Sequence, residues 1–121
     1  MTLPLPMGWP MKRGEIYYAD LSPTVGAEIN KRRPVLLVSN DANNRAAGTV
    51  TVLPITSNVT KVYPFEVSLD PQDSGLPKPS KVQAQQIRTI AKERIAGAAQ
   101  GRLGKERMTA IDAAIRLHLA L

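Results

Sequence analysis

Cysteine is absent from the 121 residues, and histidine occurs once. Without thiols there can be no disulfide framework and no thiolate metal site. One imidazole leaves no histidine pair for zinc, so neither metal nor cofactor is expected. The missing disulfides fit a reducing, cytoplasmic setting. Aromatics make up only 4% of the chain: Trp9, Tyr17, Tyr18, Tyr63 and Phe65. Some of them can stack on unpaired bases, but Tyr17 and Tyr18 point to opposite faces of a strand, so one belongs to the core. Acidic residues are also few, ten against sixteen lysines and arginines, for a formal charge of +6. That balance favours a polyanionic partner, nucleic acid or an acidic protein. No apolar run is long enough to span a membrane, and the N-terminus lacks the basic and apolar regions of a signal peptide. A membrane partner is therefore not expected.

Hydrophobic residues form 43% of the chain, enough for one domain with one core. Pro4, Pro6 and Pro10 mark residues 1–11 as a flexible or polyproline-like extension. Residues 12–121 then form the single domain, and Met11 before Lys12-Arg13-Gly14 reads as an alternative start. Strands are predicted at 15–19, 35–38, 49–55, 65–69 and 81–85, separated by turn chemistry. Val35-Leu36-Leu37-Val38 is apolar without alternation, so both faces of that strand should be buried. The polar segment 24–32, the Asn/Asp-rich segment 40–44 and the Pro/Gly/Asp-rich segment 70–79 read as loops and turns. The inward phase slips at Gln85-Gln86, which is either a β-bulge or an ordinary strand end.

The one convincing helix is Lys105–Leu119. Thr109, Asp112 and Arg116 share a narrow polar face, with Asp112 and Arg116 placed to pair at i,i+4. The remaining apolar arc is wider than one core contact needs, so a second surface, such as another subunit, should meet it. His118 falls in that arc and is expected to be buried or at a subunit interface. Five or six short strands with one terminal helix make a small, strongly curved β-barrel the economical fold, whereas a parallel α/β sheet lacks the helices it needs.

Two segments could carry chemistry. Lys31-Arg32-Arg33 runs into the buried strand at Pro34, and Pro54-Ile55-Thr56-Ser57 ends another. An arginine beside a hydroxyl suits a phosphate: its planar fork can hold two oxygens of a crowded phosphorane while the hydroxyl orients a third. Arginine is a poor general base, and Glu28 in the preceding loop offers a carboxylate. From the residues alone, Arg33 reads first as a solvated strand cap, Thr56 and Ser57 as a turn, and Glu28 as an exposed loop residue. Arg88, Lys92, Arg94 and Arg102 either follow a nucleic-acid backbone or form a solvated face.

The ordered series Arg13-Gly14-Glu15-Ile16-Tyr17-Tyr18-Ala19-Asp20, Val25-Gly26-Ala27-Glu28, Arg33-Pro34-Val35-Leu36-Leu37-Val38, Pro54-Ile55-Thr56-Ser57, Tyr63-Pro64-Phe65-Glu66-Val67 and Gln86-Ile87-Arg88-Thr89-Ile90 resembles the MazF/PemK (Kid) toxins of bacterial type II toxin–antitoxin systems. The likeness covers nearly everything from Arg13 onward and rests on order and spacing. It implies a small SH3-like (CcdB/PemK-type) barrel with a C-terminal helix, forming a homodimer. It also implies a metal-independent endoribonuclease that cuts single-stranded RNA to 2′,3′-cyclic phosphate and 5′-hydroxyl ends. By position, Arg33 is then the catalytic arginine, Thr56 its hydroxyl partner and Glu28 an active-site glutamate. Lys31, Arg32, Ser57, Gln86 and Arg88 would contact RNA. The implied protein partner is an antitoxin whose acidic, disordered segment fills the RNA groove. The alternatives are a non-catalytic CcdB-like toxin binding DNA gyrase and a basic RNA-binding barrel; Arg33-Pro34 together with Thr56 favours the ribonuclease.

Overall fold

Val35, Leu36 and Leu37 are all fully buried, which requires cover on both faces of their strand. The computed structural model describes residues 11–22 and 32–121; the N-terminal extension up to residue 10, Glu28 and Lys31 lie outside the described residues. Among those described, seven strands form one curled antiparallel sheet: β1 (Glu15–Asp20), β2 (Arg32–Leu37), β3 (Thr49–Thr56), β4 (Glu66–Leu69), β5 (Ser80–Gln83), β6 (Arg88–Ala91) and β7 (Ile95–Arg102). The order is β4-β5-β3-β2-β1-β7, with β6 also paired to β3.

Curling this sheet gives two cores. Leu36 and Leu53 join Ile16, Ile55, Leu69, Val82, Ile111 and Ala114 on one side. Val35, Leu37 and Val52 join Tyr17, Ala19, Val50, Ile90 and Ile95 on the other. Each such Val or Leu contributes about 1.5–3 kcal/mol by leaving water, so the unbroken apolar run of β2 is the signature of a strand shared by both cores. Tyr17 is the buried tyrosine of its pair, and Tyr18 is half-buried.

The same edge of β3 serves two strands. Its first half pairs with β6 from Thr49↔Ala91 to Val52↔Arg88, and its end pairs with β5 at Ile55↔Val82 and Thr56↔Lys81. Val38 N–H donates to Thr51 O (2.9 Å), so residues of Thr51's parity aim their backbone groups at β2 and those of opposite parity aim at the β5/β6 edge. Pro54 belongs to the second set. Its missing N–H falls in the gap between β5 and β6, where no ladder bond is needed. The residues that cross this gap, Ala84–Gln86, form a 3-10 turn. The slip at Gln85-Gln86 is therefore a helical turn between two strands, not a bulge within one.

Two loop assignments are corrected. The Asn-rich turn is a helix, α1 (Asp41–Ala46), because Asn40 acts as its N-cap and accepts the Asn43 N–H at 2.8 Å. The segment read as a loop contains α2 (Pro71–Ser74), with proline in its first turn, Asp73 Oδ2 accepting the Asp70 N–H (3.4 Å) and Gly75 closing it at φ 75°. A Cβ at Gly75 would lie 2.1 Å from Gln100 O, and one at Gly101 would lie 2.3 Å from Ser74 O. Only paired glycines let α2 sit this close to β7. That strand itself was not foreseen.

The terminal helix, α3 (Lys105–Leu119), forms as expected and buries Ile111 and Ala114. Asp112 does not pair with Arg116; its Oδ1 accepts from Nη2 of Arg13. That contact ties α3 to the segment entering β1, which a local i,i+4 pair could not do. His118 is exposed rather than buried in the chain, with its ring tilted 6.3 Å from Phe65. Leu117, Leu119 and Leu121 are also exposed, so the apolar arc of α3 is only partly covered by its own chain. Among the described residues no helix is long and apolar enough to cross a membrane.

Candidate active site

Antiparallel pairing of β2 with β3 brings the start of one strand to the end of the other. The described register runs from Leu37↔Val52 to Val35↔Pro54; continued by two residues it sets Arg33 opposite Thr56. Beside them lies a cleft of about 150 Å3. Arg33, Ser57, Lys78 and Ser80 supply its polar groups, and Tyr18, Pro34, Leu76 and Pro77 most of its apolar wall.

Arg33 is half-buried and, among the described residues, its guanidinium makes no ion pair or hydrogen bond. A cation held this way at a cleft mouth has its donors available for an anion. Thr56 Oγ1 accepts the Asn58 N–H (3.2 Å), leaving its own proton free to donate. Ser57 is exposed and lines the cleft. The turn role considered for this segment and a phosphate role are therefore compatible. Arg32 is exposed, and its guanidinium carbon sits 5.1 Å from the centroid of the Tyr18 ring, a cation–π contact worth about 0.5–1 kcal/mol.

Not all of the proposed residues gather here. Gln86 is half-buried in the 3-10 turn and does not line the cleft. Nη1 of Arg88 donates to Leu21 O (3.3 Å), a structural tie to the segment after β1. Glu28 and Lys31 lie outside the described residues. Among those described, no group of three histidines, carboxylates or thiols converges as a metal ligand set.

Sequence reasoning missed Lys78 and Ser80 as cleft residues, and had Tyr18 only as one of several aromatics that could stack on bases. It also missed a buried polar cluster behind Thr56. Lys81, the ladder partner of Thr56, donates through Nζ to Glu66 Oε1 (2.9 Å) and to Lys61 O (2.5 Å). Gln85 Nε2 donates to Glu66 Oε2 (2.7 Å), and the Tyr63 N–H to Oε1 (2.9 Å). Burial pushes the Glu66 carboxyl up, but the Tyr63 N–H, the Gln85 amide and the Lys81 ammonium outweigh it and hold it below the ordinary range. The cluster pins both ends of the segment that follows Ser57. Its outer surface carries Tyr63 stacked on Phe65, ring centroids 5.4 Å apart, with Nζ of Lys61 4.8 Å from the Tyr63 centroid. By strand alternation Glu66 shares the phase of exposed Ser68 rather than of Val67 and Leu69, so no pattern in the sequence announced its burial.

Comparison with known proteins bears on this arrangement. A family model described as PemK-like, MazF-like toxin of type II toxin–antitoxin system matches residues 12–119. Endoribonuclease MazF9 of Mycobacterium tuberculosis is 46% identical over 116 residues, covering 92% of this chain and 98% of its own. Endoribonuclease EndoA of Bacillus subtilis is 40% identical over 112 residues, covering 92% and 96%. Among solved structures, a mycobacterial endoribonuclease in complex with its cognate antitoxin superposes with a TM-score of 0.76 at 28% identity, covering 92% of this chain and 96% of that one. MazF from Deinococcus radiodurans has the same fold, with a TM-score of 0.78 at 24% identity and coverage of 93% and 99%.

Proposed function

Because the chain belongs to the PemK-like, MazF-like toxins of type II toxin–antitoxin systems, we propose that it is an endoribonuclease that cuts single-stranded RNA, chiefly mRNA, at short sequences. The observation that carries this is Arg33: a half-buried guanidinium, unpaired among the described residues, at the mouth of a cleft with Ser57 beside it and Thr56 across the strand.

The reaction needs no metal. The ribose 2′-oxygen attacks the adjacent phosphorus, its proton passing to a base, and the P–O5′ bond breaks as the 5′-oxygen takes up a proton. The products are a 2′,3′-cyclic phosphate and a 5′-hydroxyl. Arg33 holds two non-bridging oxygens as charge builds on the phosphorane, where a preorganised donor is worth the most. The Thr56 hydroxyl donates to one of them and orients it, and Glu28, by its position in the family's sequence pattern, is the carboxylate that accepts the 2′-proton. The 5′-oxygen departs on the side opposite the attack and takes its proton from solvent. Lys31, Arg32, Ser57, Gln86 and Arg88 track the flanking RNA.

As a toxin of this class it acts on mRNA in the cytoplasm and stops translation. It works as a homodimer, which gives a partner to the exposed Leu117 and Leu121 side of α3. A cognate antitoxin with an acidic, disordered segment neutralises it by occupying the cationic groove, consistent with the charge of +6. Incubating the protein and an Arg33→Ala variant with a long single-stranded RNA in excess EDTA tests the reading. Cleavage by the unaltered protein alone, leaving cyclic-phosphate ends, is expected. Equal activity in both, none in either, or dependence on added metal overturns it.

A further inference from the structure

Three successive backbone carbonyls at the exit of β1 are held by the guanidiniums of two arginines. Nη1 of Arg94 donates to Asp20 O (3.1 Å) and to Ser22 O. Nη1 of Arg88 donates to Leu21 O, the carbonyl between them (3.3 Å). The ladder from β1 to β7 ends one rung earlier, at Ala19↔Ile95, so the side chain of Arg94 takes over where backbone pairing stops. Arg94 closes the 3-10 turn Lys92–Arg94 between β6 and β7 and is half-buried. The clamped segment is also held from within: the Ser22 N–H donates to Asp20 Oδ1 (2.9 Å), and Leu21 is fully buried.

This clamp lies beside Arg33. On the β2 side Ala19 stands opposite Arg33, and Asp20 opposite Arg32 forms the last rung of that ladder. Strand ends open before strand centres, and opening here would carry Arg33 with it. The Arg33 guanidinium has no ion pair or hydrogen bond among the described residues, so its placement is inherited from this backbone. A misplacement of about 1 Å at a reacting centre costs about a hundredfold in rate. We propose that Arg94 is a positioning residue for RNA cleavage: together with Nη1 of Arg88 it clamps residues 20–22 and so holds Arg33 in register with the phosphate, without touching RNA itself. Arg88 engages one nitrogen here, which leaves the rest of its fork for RNA. The proposal rests on the ribonuclease reading and adds to it a residue outside the cleft.

Arg94→Met keeps the stem of the side chain and removes its donors, whereas Arg94→Lys keeps an ammonium able to serve both carbonyls. Each is compared with the unaltered protein in single-turnover cleavage of saturating RNA in EDTA, well below the thermal midpoint. Fluorescence anisotropy with a 2′-O-methyl RNA, which cannot be cleaved, gives the affinity and its salt dependence. Arg94→Met should slow cleavage about tenfold or more, and Arg94→Lys should recover about half of that loss on a logarithmic scale or better. RNA affinity should stay within about twofold with an unchanged salt slope, because no phosphate contact is removed. An unchanged rate in folded Arg94→Met makes the clamp a structural tie only and overturns the proposal. A salt slope reduced by about one, the mark of a lost phosphate contact, overturns it too, as does Arg94→Lys cleaving as slowly as Arg94→Met. If Arg94→Met fails to fold, Arg94→Gln, with a single amide group, decides by the same rate. No cleavage by the unaltered protein removes the ribonuclease reading and the proposal together; cleavage indifferent to Arg94→Met removes the proposal alone.

Discussion

Replacing Lys81 with methionine keeps most of the volume and stem of the side chain and removes its charge. Glu66 is then left with a carboxylate whose side chain is only 1% exposed and no cation within reach. Breaking a buried ion pair in this one-sided way costs about 3–5 kcal/mol. The Tyr63 N–H and the Gln85 amide still reach the carboxylate, so the expected loss is at the lower end, about 3 kcal/mol. Urea denaturation at pH 7 measures it, and repetition at about pH 3.5, below the unfolded carboxylate value, reveals its cause. In the unaltered protein the folded-state pKa of Glu66 is lowered. Its contribution is therefore fully present above the unfolded carboxylate value, about 4.3, and is lost as pH falls through the folded value. In the variant the part of that lowering supplied by Lys81 is gone, so the folded value moves back toward the unfolded one, the variant loses less on acidification than the unaltered protein, and the deficit shrinks. Adding Glu66→Gln should recover most of the loss, because the uncompensated charge is gone. A deficit below about 1 kcal/mol, or one equal at both pH values, would refute the assignment of this pair as a buried brace.

Gly75→Ala combines a left-handed φ with a Cβ 2.1 Å from Gln100 O and should destabilise by about 3 kcal/mol or more, read as a fall in the thermal midpoint. Arg33→Lys keeps the charge but loses the bidentate fork, so kcat should fall about a hundredfold or more while RNA affinity changes little; single-turnover kinetics separate the two. Thr56→Val should reduce kcat in the same assay, whereas Ser57→Ala should act mainly on KM. Arg13→Ala removes a partly exposed pair with Asp112 and should cost only about 1 kcal/mol by urea denaturation.

Much of this fold was legible because period and burial agree. Val35 to Val38 declared a strand with two covered faces, and Lys105–Leu119 declared a helix. The failures are equally physical. Asn40, Pro71 and Gly75 are turn residues, but the same residues cap and close short helices, and only the tertiary setting decides which they do. Strand β7 contains Gly97, Ala98, Ala99 and Gly101, a poor strand by propensity. It exists because β1 pairs with it and α2 needs a bare backbone to press against. Asp112 had a local partner four residues away and took a distant one instead. At the site, Arg33 was visible as the end of a basic run entering a buried strand. Lys78 and Ser80 were not, because they reach the cleft only through the pairing of β5 with β3, a contact between segments far apart in the chain.

The division of that cleft between two kinds of backbone bears on how such a protein can change over evolutionary time. Arg33 and Thr56 sit on strands whose neighbours fill both cores, so their positions are held by the most constrained residues in the chain. Lys78 and the prolines on either side of it belong to the short connection from α2 to β5, where substitutions disturb little packing. A lineage can alter that connection, and with it the wall of the cleft, while Arg33 and Thr56 stay in register. The cleft wall should therefore diverge faster than the pair of residues beside it.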